Sequence, residues 1–247
     1  MRPPLLFLHG IGADADIWRE ECAALAPALA LPLPGYGDAP RLAEPSVAAY
    51  ARAVRDRLAA AGPDRVVAVG HSLGGMVALE LALLAPERVA ALVLVAAPAA
   101  FGSRDGRFQR RFLEERLAPL AAGRTLAELA PEAVPALCGP APDPEGVRRA
   151  VAAMARVPEA AYRDALAALA GFDRRDALPR LTQPVLVVAG PHDRRVPPRT
   201  LRRLAAALPR ATLAVVEGAG HLVPFERPRA FRAVLRRFLA ETFDGST

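Results

Sequence analysis

The stretch RVVAVGHSLGGMVALELALL, residues 65–84, is the part of the chain that decides the fold class. Its first residues, Arg65–Val69, form a short apolar run that is typical of a strand buried on both faces. The last part, Ser72–Leu84, predicts a helix that ends before Pro86. Because a glycine-rich turn joins the two elements directly, the stretch predicts an α/β protein built on a parallel sheet.

The same alternation of short apolar strands and longer helices continues on both sides of this stretch. The other predicted strands are Leu5–Leu8, Ala28–Leu33, Val89–Val95, Val185–Ala189 and Thr212–Val216. The other predicted helices of the sheet region are Asp16–Ala26, Ser46–Ala61, Arg199–Leu208 and Pro228–Glu241. We therefore expect a mostly parallel sheet of about six strands with helices on both faces.

The middle of the chain breaks this rhythm. Residues 100–180 contain no convincing strand, but they carry amphipathic helical patterns at Arg107–Leu117, Glu145–Met154 and Glu159–Ala168. We predict that residues 100–180 form a helical lid inserted into a core made by residues 1–99 and 181–247.

The charge balance does not indicate a nucleic-acid partner. The chain has 247 residues and a formal net charge of +6, and all 32 basic residues are arginine. The absence of lysine and asparagine is typical of a GC-rich coding sequence, and no block of like charges suggests a nucleic-acid-binding tail. The absence of lysine also excludes Schiff-base chemistry through that residue.

The cysteine spacing, the N-terminal segment and the absence of two short motifs predict the cellular compartment and the cofactor requirement. Cys22 and Cys138 are far apart and form no CxxC pair, which fits a reducing compartment. The apolar run at the N-terminus is too short for a signal peptide or a membrane span, so we expect a cytoplasmic protein without a membrane partner. No HExxH or GxxxxGK[ST] pattern occurs, and we expect neither a metal nor another cofactor.

A nucleophilic serine is predicted at the turn of the first stretch. Gly70-x-Ser72-x-Gly74 lies between a buried strand and a helix, the context in which this pattern indicates a nucleophile elbow. The turn would expose the Ser72 hydroxyl beside the N-terminus of the helix, where developing negative charge is favoured.

A base and an acid are predicted on two later loops of the same sheet edge. Of the four histidines, His221 follows the last strand on a loop flanked by glycine, where an imidazole can reach the serine. Asp193 follows the penultimate strand and can orient that histidine. The preceding strand, by contrast, runs into Ala96-Ala97-Pro98, which offers no carboxylate.

Two backbone N–H groups and two aromatic side chains complete the predicted site. We expect an oxyanion to be bound by the N–H of Leu73, just after the serine, and by the N–H of Ile11, just after His9-Gly10. Trp18 and Phe101 are candidates for the substrate pocket, although core packing is an equal alternative for each.

Taken together, these motifs resemble the α/β-hydrolase superfamily, in particular small bacterial carboxylesterases and enol-lactone hydrolases. The matching pieces are His9-Gly10-Ile11-Gly12, Pro34-Gly35-Tyr36-Gly37, Gly70-His71-Ser72-Leu73-Gly74-Gly75, Pro86-Glu87-Arg88-Val89, Pro184–Gly190 with Asp193, and Gly218-Ala219-Gly220-His221 with Glu226-Arg227-Pro228. Relatives usually begin with an antiparallel hairpin, whereas this chain starts almost at its first parallel strand, so we expect a trimmed sheet.

This resemblance implies acyl transfer on a small ester or lactone, with Ser72, Asp193 and His221 as the catalytic triad. Two alternatives remain open from the sequence. A carbon–carbon hydrolase of ring-fission diketones would use the same triad, and a ligand receptor could be built on the same scaffold. Neither the substrate nor the oligomeric state follows from the sequence.

Overall fold

The computed structural model describes residues 2–103 and 105–245. A single sheet contains β1 (Leu5–Leu8), β2 (Ala28–Leu31), β3 (Val66–His71), β4 (Val89–Val95), β5 (Val185–Ala189) and β6 (Ala211–Val215). The strand order is β2-β1-β3-β4-β5-β6, and all five neighbouring pairs are parallel. The predicted six-stranded α/β fold is therefore confirmed.

Helices cover this sheet on both faces. Every residue of β1, β3, β4 and β5 is buried, and successive side chains of a strand point to opposite faces, so both faces must be covered. The helices of the sheet region are α1 (Arg19–Ala24), α2 (Val47–Ala61), α3 (Leu73–Leu84), α8 (Pro198–Ala207), α9 (Val223–Glu226) and α10 (Pro228–Phe243). None of the described helices is long and apolar enough to cross a membrane.

A helical insertion separates β4 from β5. It contains α4 (Arg107–Ala121), α5 (Leu126–Ala133), α6 (Pro144–Arg156) and α7 (Glu159–Ala168). The two ends of the insertion meet at its neck, where the Phe101 N–H donates to the Phe172 carbonyl at 2.8 Å and the Arg174 N–H donates to the Ala99 carbonyl at 2.8 Å. These bonds hold the entry and exit of the insertion side by side on the sheet edge.

Two local elements differ from the sequence prediction. Helix α5 was not predicted, although Thr125 and Glu128 form a reciprocal capping box at its N-terminus. Pro131, inside this alanine-rich helix, hides the helical pattern. The helix predicted at Asp16–Ala26 is instead a 3-10 turn at Ala15–Trp18 followed by the short helix α1.

Candidate active site

Ser72 sits on a strained turn between β3 and α3. Its backbone angles φ and ψ are 52° and −117°, a conformation that residues other than glycine rarely adopt. Its N–H donates to the Val95 carbonyl at 2.9 Å, which ties the turn to β4. A Cβ at Gly74 would lie 2.3 Å from the Leu8 carbonyl oxygen, and one at Gly70 would lie 2.2 Å from the Gly74 carbonyl oxygen. The glycines are therefore required by the close approach of three backbone segments.

The three predicted triad residues come together from three separate loops. The Nε2 atom of His221 lies 3.2 Å from the Ser72 hydroxyl oxygen, and its Nδ1 atom lies 2.8 Å from the Asp193 carboxylate. An ionised carboxylate only accepts hydrogen bonds, so the Nδ1 atom carries the proton and donates to Asp193. The lone pair on Nε2 then faces the serine hydroxyl, which is the arrangement a general base needs.

The electrostatics of Asp193 keep this carboxylate ionised. Burial acts to raise its pKa, but the hydrogen bond and charge of His221 and the N–H groups of Val196 and Arg195 outweigh burial and lower the pKa. The Arg195 and Val196 N–H groups donate to the same carboxylate oxygen at 2.7 and 2.9 Å. This fixed, charged acceptor holds the histidine ring in one orientation.

The loop after β1 carries one of the two predicted oxyanion donors. Neither the N–H of Ile11 nor that of Leu73 has a hydrogen-bond acceptor among the described residues. The buried Tyr36 hydroxyl donates to the Ile11 carbonyl at 2.7 Å, which orients this peptide. A Cβ at Gly10 would lie 3.5 Å from the Ser72 Cβ, so the loop passes directly beside the serine.

Two buried histidines support these loops without titrating near neutral pH. His9 accepts a hydrogen bond from the Leu33 N–H at 3.1 Å and donates from its other ring nitrogen to the Gly10 carbonyl at 2.8 Å. His71 donates to the His221 carbonyl at 2.8 Å. Burial lowers the pKa of His9 to about 4 and, together with the charge of His221, that of His71 to about 3. Sequence reasoning did not find the contact between His71 and the His221 loop.

Glu226 is a further buried group at this site. The sequence motif Glu226-Arg227-Pro228 indicates the family but does not predict a role for this carboxylate. Its carboxylate is fully buried and accepts N–H bonds from Gly220 and Leu222, the two neighbours of His221, both at 2.8 Å. It also accepts the N–H of Gly139, in the helical insertion, at 2.6 Å. One carboxylate therefore holds the backbone on both sides of His221 and connects it to the insertion.

Residues 137–143, which we call the strap, lie across the loop that carries His221. The His221 N–H donates to the Leu137 carbonyl at 2.8 Å, and the Arg227 guanidinium donates to the carbonyls of Pro140, at 2.6 Å, and Gly218, at 3.2 Å. The backbone of the histidine loop is thus fixed by groups from the insertion as well as from the sheet region.

A cavity of about 630 Å³ opens over Ser72. Ser72, His221 and Ile11 line the cavity, as does Phe101, which packs against Phe112 with ring centroids 5.1 Å apart. Of the two alternatives for Trp18, pocket lining and core packing, the structure shows core packing, and Trp18 does not line the cavity. Trp18 is fully buried and its ring packs in the core on Phe7, with ring centroids 4.8 Å apart, and on Phe225, with centroids 5.2 Å apart.

The described residues contain no group of three or more histidine, cysteine, aspartate or glutamate side chains that could hold a metal ion. Cys22 and Cys138 are free thiols, and burial raises the pKa of Cys22 to about 11 and that of Cys138 to about 12. Neither thiol lines the cavity over Ser72.

Comparisons with known proteins agree with this architecture. The chain is 31% identical over 240 residues to the pimeloyl-[acyl-carrier protein] methyl ester esterase of Citrobacter koseri. The alignment covers 92% of this chain and 90% of that protein. It spans about half the length of the biotin biosynthesis bifunctional protein of Cellvibrio japonicus, with 29% identity over 96% of this chain and 47% of that protein. A thermophilic esterase from Thermogutta terrifontis superposes with a TM-score of 0.81 and 28% identity, over 97% of this chain and 90% of that one.

The family model described as the alpha/beta hydrolase fold matches residues 3–228, which is most of the chain. This match spans the sheet, the insertion and all the loops that surround Ser72. The chain belongs to the α/β-hydrolase family.

Proposed function

We propose that this hydrolase cleaves a carboxylic ester or lactone of a small molecule through an acyl-enzyme formed on Ser72. One observation carries the proposal. The imidazole of His221 lies between the Ser72 hydroxyl, at 3.2 Å, and the buried Asp193 carboxylate, at 2.8 Å, at the base of an open cavity. This is the set of contacts that converts an unreactive hydroxyl into a nucleophile.

In the first half of the proposed reaction, the Ser72 oxygen attacks the carbonyl carbon of the substrate while Nε2 of His221 accepts the hydroxyl proton. The carbonyl oxygen becomes an oxyanion, which accepts hydrogen bonds from the N–H groups of Ile11 and Leu73, both of which lack another acceptor among the described residues. When the carbonyl re-forms, the bond to the leaving alkoxide breaks, and His221 returns the proton to that oxygen. The product of this half is an ester of Ser72.

In the second half, water takes the place of the leaving alcohol. Nε2 of His221 accepts a proton from water as the water oxygen attacks the ester of Ser72. Collapse of this second tetrahedral intermediate breaks the bond to the Ser72 oxygen, which recovers its proton from His221. Asp193 stays ionised throughout and stabilises the positive imidazole by its hydrogen bond to Nδ1.

We also propose that residues 100–180 act as a lid that shapes the substrate site. In support, side chains from α4 to α7 form much of the cavity wall, among them Phe112, Met154, Tyr162 and Leu166. A wall made by the insertion lets substrate preference vary while the sheet edge keeps the chemistry constant.

The names of the relatives support an ester or lactone over a carbon–carbon bond. The relative from Citrobacter koseri is a methyl ester esterase, and the relative from Thermogutta terrifontis is an esterase. The first aligns with 92% of this chain, and the second superposes on 97% of it with a TM-score of 0.81.

The test is hydrolysis of p-nitrophenyl esters of increasing acyl length, and of small lactones, by the wild-type protein and by Ser72→Ala. We expect turnover by the wild type and a loss of kcat/KM of at least about 10³-fold in the variant, because removal of a triad nucleophile abolishes its pathway. Circular dichroism should show that both proteins are folded. The proposal is wrong if folded wild-type protein hydrolyses none of these compounds, or if Ser72→Ala hydrolyses them at the wild-type rate.

A further inference from the structure

The cavity over Ser72 has an unusual charge distribution at the end formed by α4 and the loop after β5. Among the described residues, Glu115 is the only carboxylate that lines the cavity. Five arginines line it, namely Arg111, Arg116, Arg194, Arg195 and Arg199. Glu115 lies 3.6 Å from Arg111, so its charge already has a partner. The cavity therefore carries an excess of positive charge beside an otherwise apolar wall.

From this distribution we propose that the substrate carries a second, anionic group, such as a carboxylate, that binds between Arg116 of α4 and Arg195 of the loop after β5. This inference deepens the proposed function and rests on it. The substrate would then be an ester or lactone with an apolar segment between the scissile carbonyl and a negatively charged end.

The first argument is that Arg116 and Arg195 lack the ion pairs that other arginines of the insertion make. Most of the described arginines elsewhere in the insertion lie within 4 Å of a carboxylate, among them Arg124 with Glu132, Arg148 with Glu145, Arg163 with Glu159 and Arg174 with Glu80. Within the described residues, neither Arg116 nor Arg195 has such a partner. The missing partner is what an anionic ligand would supply.

The second argument is that the two guanidinium groups repel each other. Partial burial lowers the pKa of Arg195 and the positive charge of Arg116 lowers it further, whereas the negative charges of Glu115 and Asp193 act in the opposite direction without cancelling the shift. Arg116 of α4 and Arg195 of the loop after β5 line the same cavity and are near enough for their charges to repel each other. An anion between them would replace this repulsion by two charge-assisted hydrogen bonds and would hold α4 against the loop after β5.

The third argument is the apolar surface between these arginines and Ser72. The guanidinium of Arg116 lies over the ring of Phe112, 5.3 Å from its centroid, and Phe112 packs against Phe101. Both rings line the cavity. A methylene chain would cover these rings, and in such a setting a contact between arginine and carboxylate is stronger than in open water.

The simplest competing explanation is a solvated cationic face without a ligand. Several surface arginines of this chain are of that kind, including Arg203 on the exposed side of α8. The two explanations differ in one measurable property, since only a binding site distinguishes two substrates that differ in a terminal charge.

The first experiment compares matched p-nitrophenyl esters of equal length. The pairs are pentanoate with the glutarate half-ester, hexanoate with the adipate half-ester, and octanoate with the suberate half-ester, in each of which a carboxylate replaces a terminal methyl group. At the best length we expect the half-ester to have a kcat/KM about tenfold higher or more. Arg116→Gln and Arg195→Gln should each reduce the half-ester value by about 10- to 100-fold, the usual effect of losing a charge-assisted bond, and should change the neutral ester by less than about twofold.

The control is Arg203→Gln, which removes the same charge away from the cavity and should leave both values unchanged. The inference is overturned if wild type prefers the neutral ester at every length. It is also overturned if the cavity variants and the control reduce half-ester turnover equally, because the effect would then be one of net charge alone.

The second experiment separates this inference from the proposed function. Calorimetry with Ser72→Ala measures the binding of monoethyl adipate and of ethyl hexanoate without any turnover. We expect the half-ester to bind about tenfold tighter or more, and Ser72→Ala combined with Arg195→Gln to lose that preference. Equal affinity for the two compounds would refute the anion site even if esters are hydrolysed, and preferential binding would support it even if they are not.

Discussion

Replacement of Glu226 by glutamine tests whether the position of His221 depends on one buried carboxylate. Glu226 accepts the N–H groups of Gly220, Leu222 and Gly139 at 2.8, 2.8 and 2.6 Å. An amide has only one acceptor oxygen, so Glu226→Gln must turn an NH2 group towards at least one of these N–H donors. The shape of the side chain is otherwise preserved.

The expected magnitude follows from the bonds lost. A hydrogen bond to a charged group contributes about 1.5–3 kcal/mol, and a buried donor left without an acceptor adds its own cost. We expect Glu226→Gln to lower the free energy of unfolding by about 2–4 kcal/mol, which is a fall in Tm of roughly 4–16 °C for a domain of this size. Displacement of the His221 ring by about 1 Å should lower kcat on the order of 10²-fold.

The assay measures kcat and KM on the best p-nitrophenyl ester well below the Tm of the variant, with Tm recorded in parallel. We expect the loss to fall on kcat with little change in KM, because Glu226 does not line the cavity. Glu217→Gln is the matched control, since Glu217 is an exposed glutamate at the start of the same loop. If Glu226→Gln keeps kcat within about twofold of this control and the same Tm, the positioning role is refuted.

Three further outcomes follow from burial and close contact. Trp18→Ala should lower the free energy of unfolding by about 3–5 kcal/mol in urea titrations without changing the preferred acyl length, whereas Phe101→Ala should change that preference with a smaller loss of stability. Gly74→Ala should fail to give a stable fold by thermal melting, because its Cβ would lie 2.3 Å from a carbonyl oxygen of β1. In the folded protein His9 has a pKa of about 4 and His71 a pKa of about 3, whereas in the unfolded chain both histidines bind a proton below about pH 6.5. The free energy of unfolding should therefore be highest above about pH 6.5 and should fall as the pH decreases towards about 4. Each histidine should lower the free energy of unfolding by about 2 kcal/mol at about pH 5 relative to about pH 7.5, as measured by urea titration at the two pH values.

The chemistry-bearing residues could be predicted from the sequence because they follow parallel strands. Ser72 comes directly after an apolar strand, Asp193 and His221 lie in the loops that follow two others, and the carboxyl ends of parallel strands meet at one sheet edge. The His221 ring lies within hydrogen-bond distance of both Ser72 and Asp193. The local sequence patterns and the parallel arrangement of the strands are therefore sufficient to predict these three residues.

The supporting residues could not be predicted in the same way. The contact of Glu226 with Gly139 depends on the path of the insertion across the loop of His221, and neither short-range periodicity nor motif spacing encodes that path. The burial of Trp18 and the proximity of Arg116 to Arg195 are also long-range packing results. A side chain whose role depends on which distant segment packs against it has no local signal in a single sequence.

The central claim is that Ser72 is a nucleophile activated by His221, and covalent labelling tests it most directly. Diethyl p-nitrophenyl phosphate should add one diethyl phosphate group, seen by intact mass, and peptide mapping should place it on Ser72, with loss of esterase activity in proportion to labelling. Ser72→Ala should remain unlabelled, and His221→Ala should be labelled far more slowly because the base is missing. An adduct on Ser46 or Ser103, or equal labelling rates with and without His221, would contradict the account.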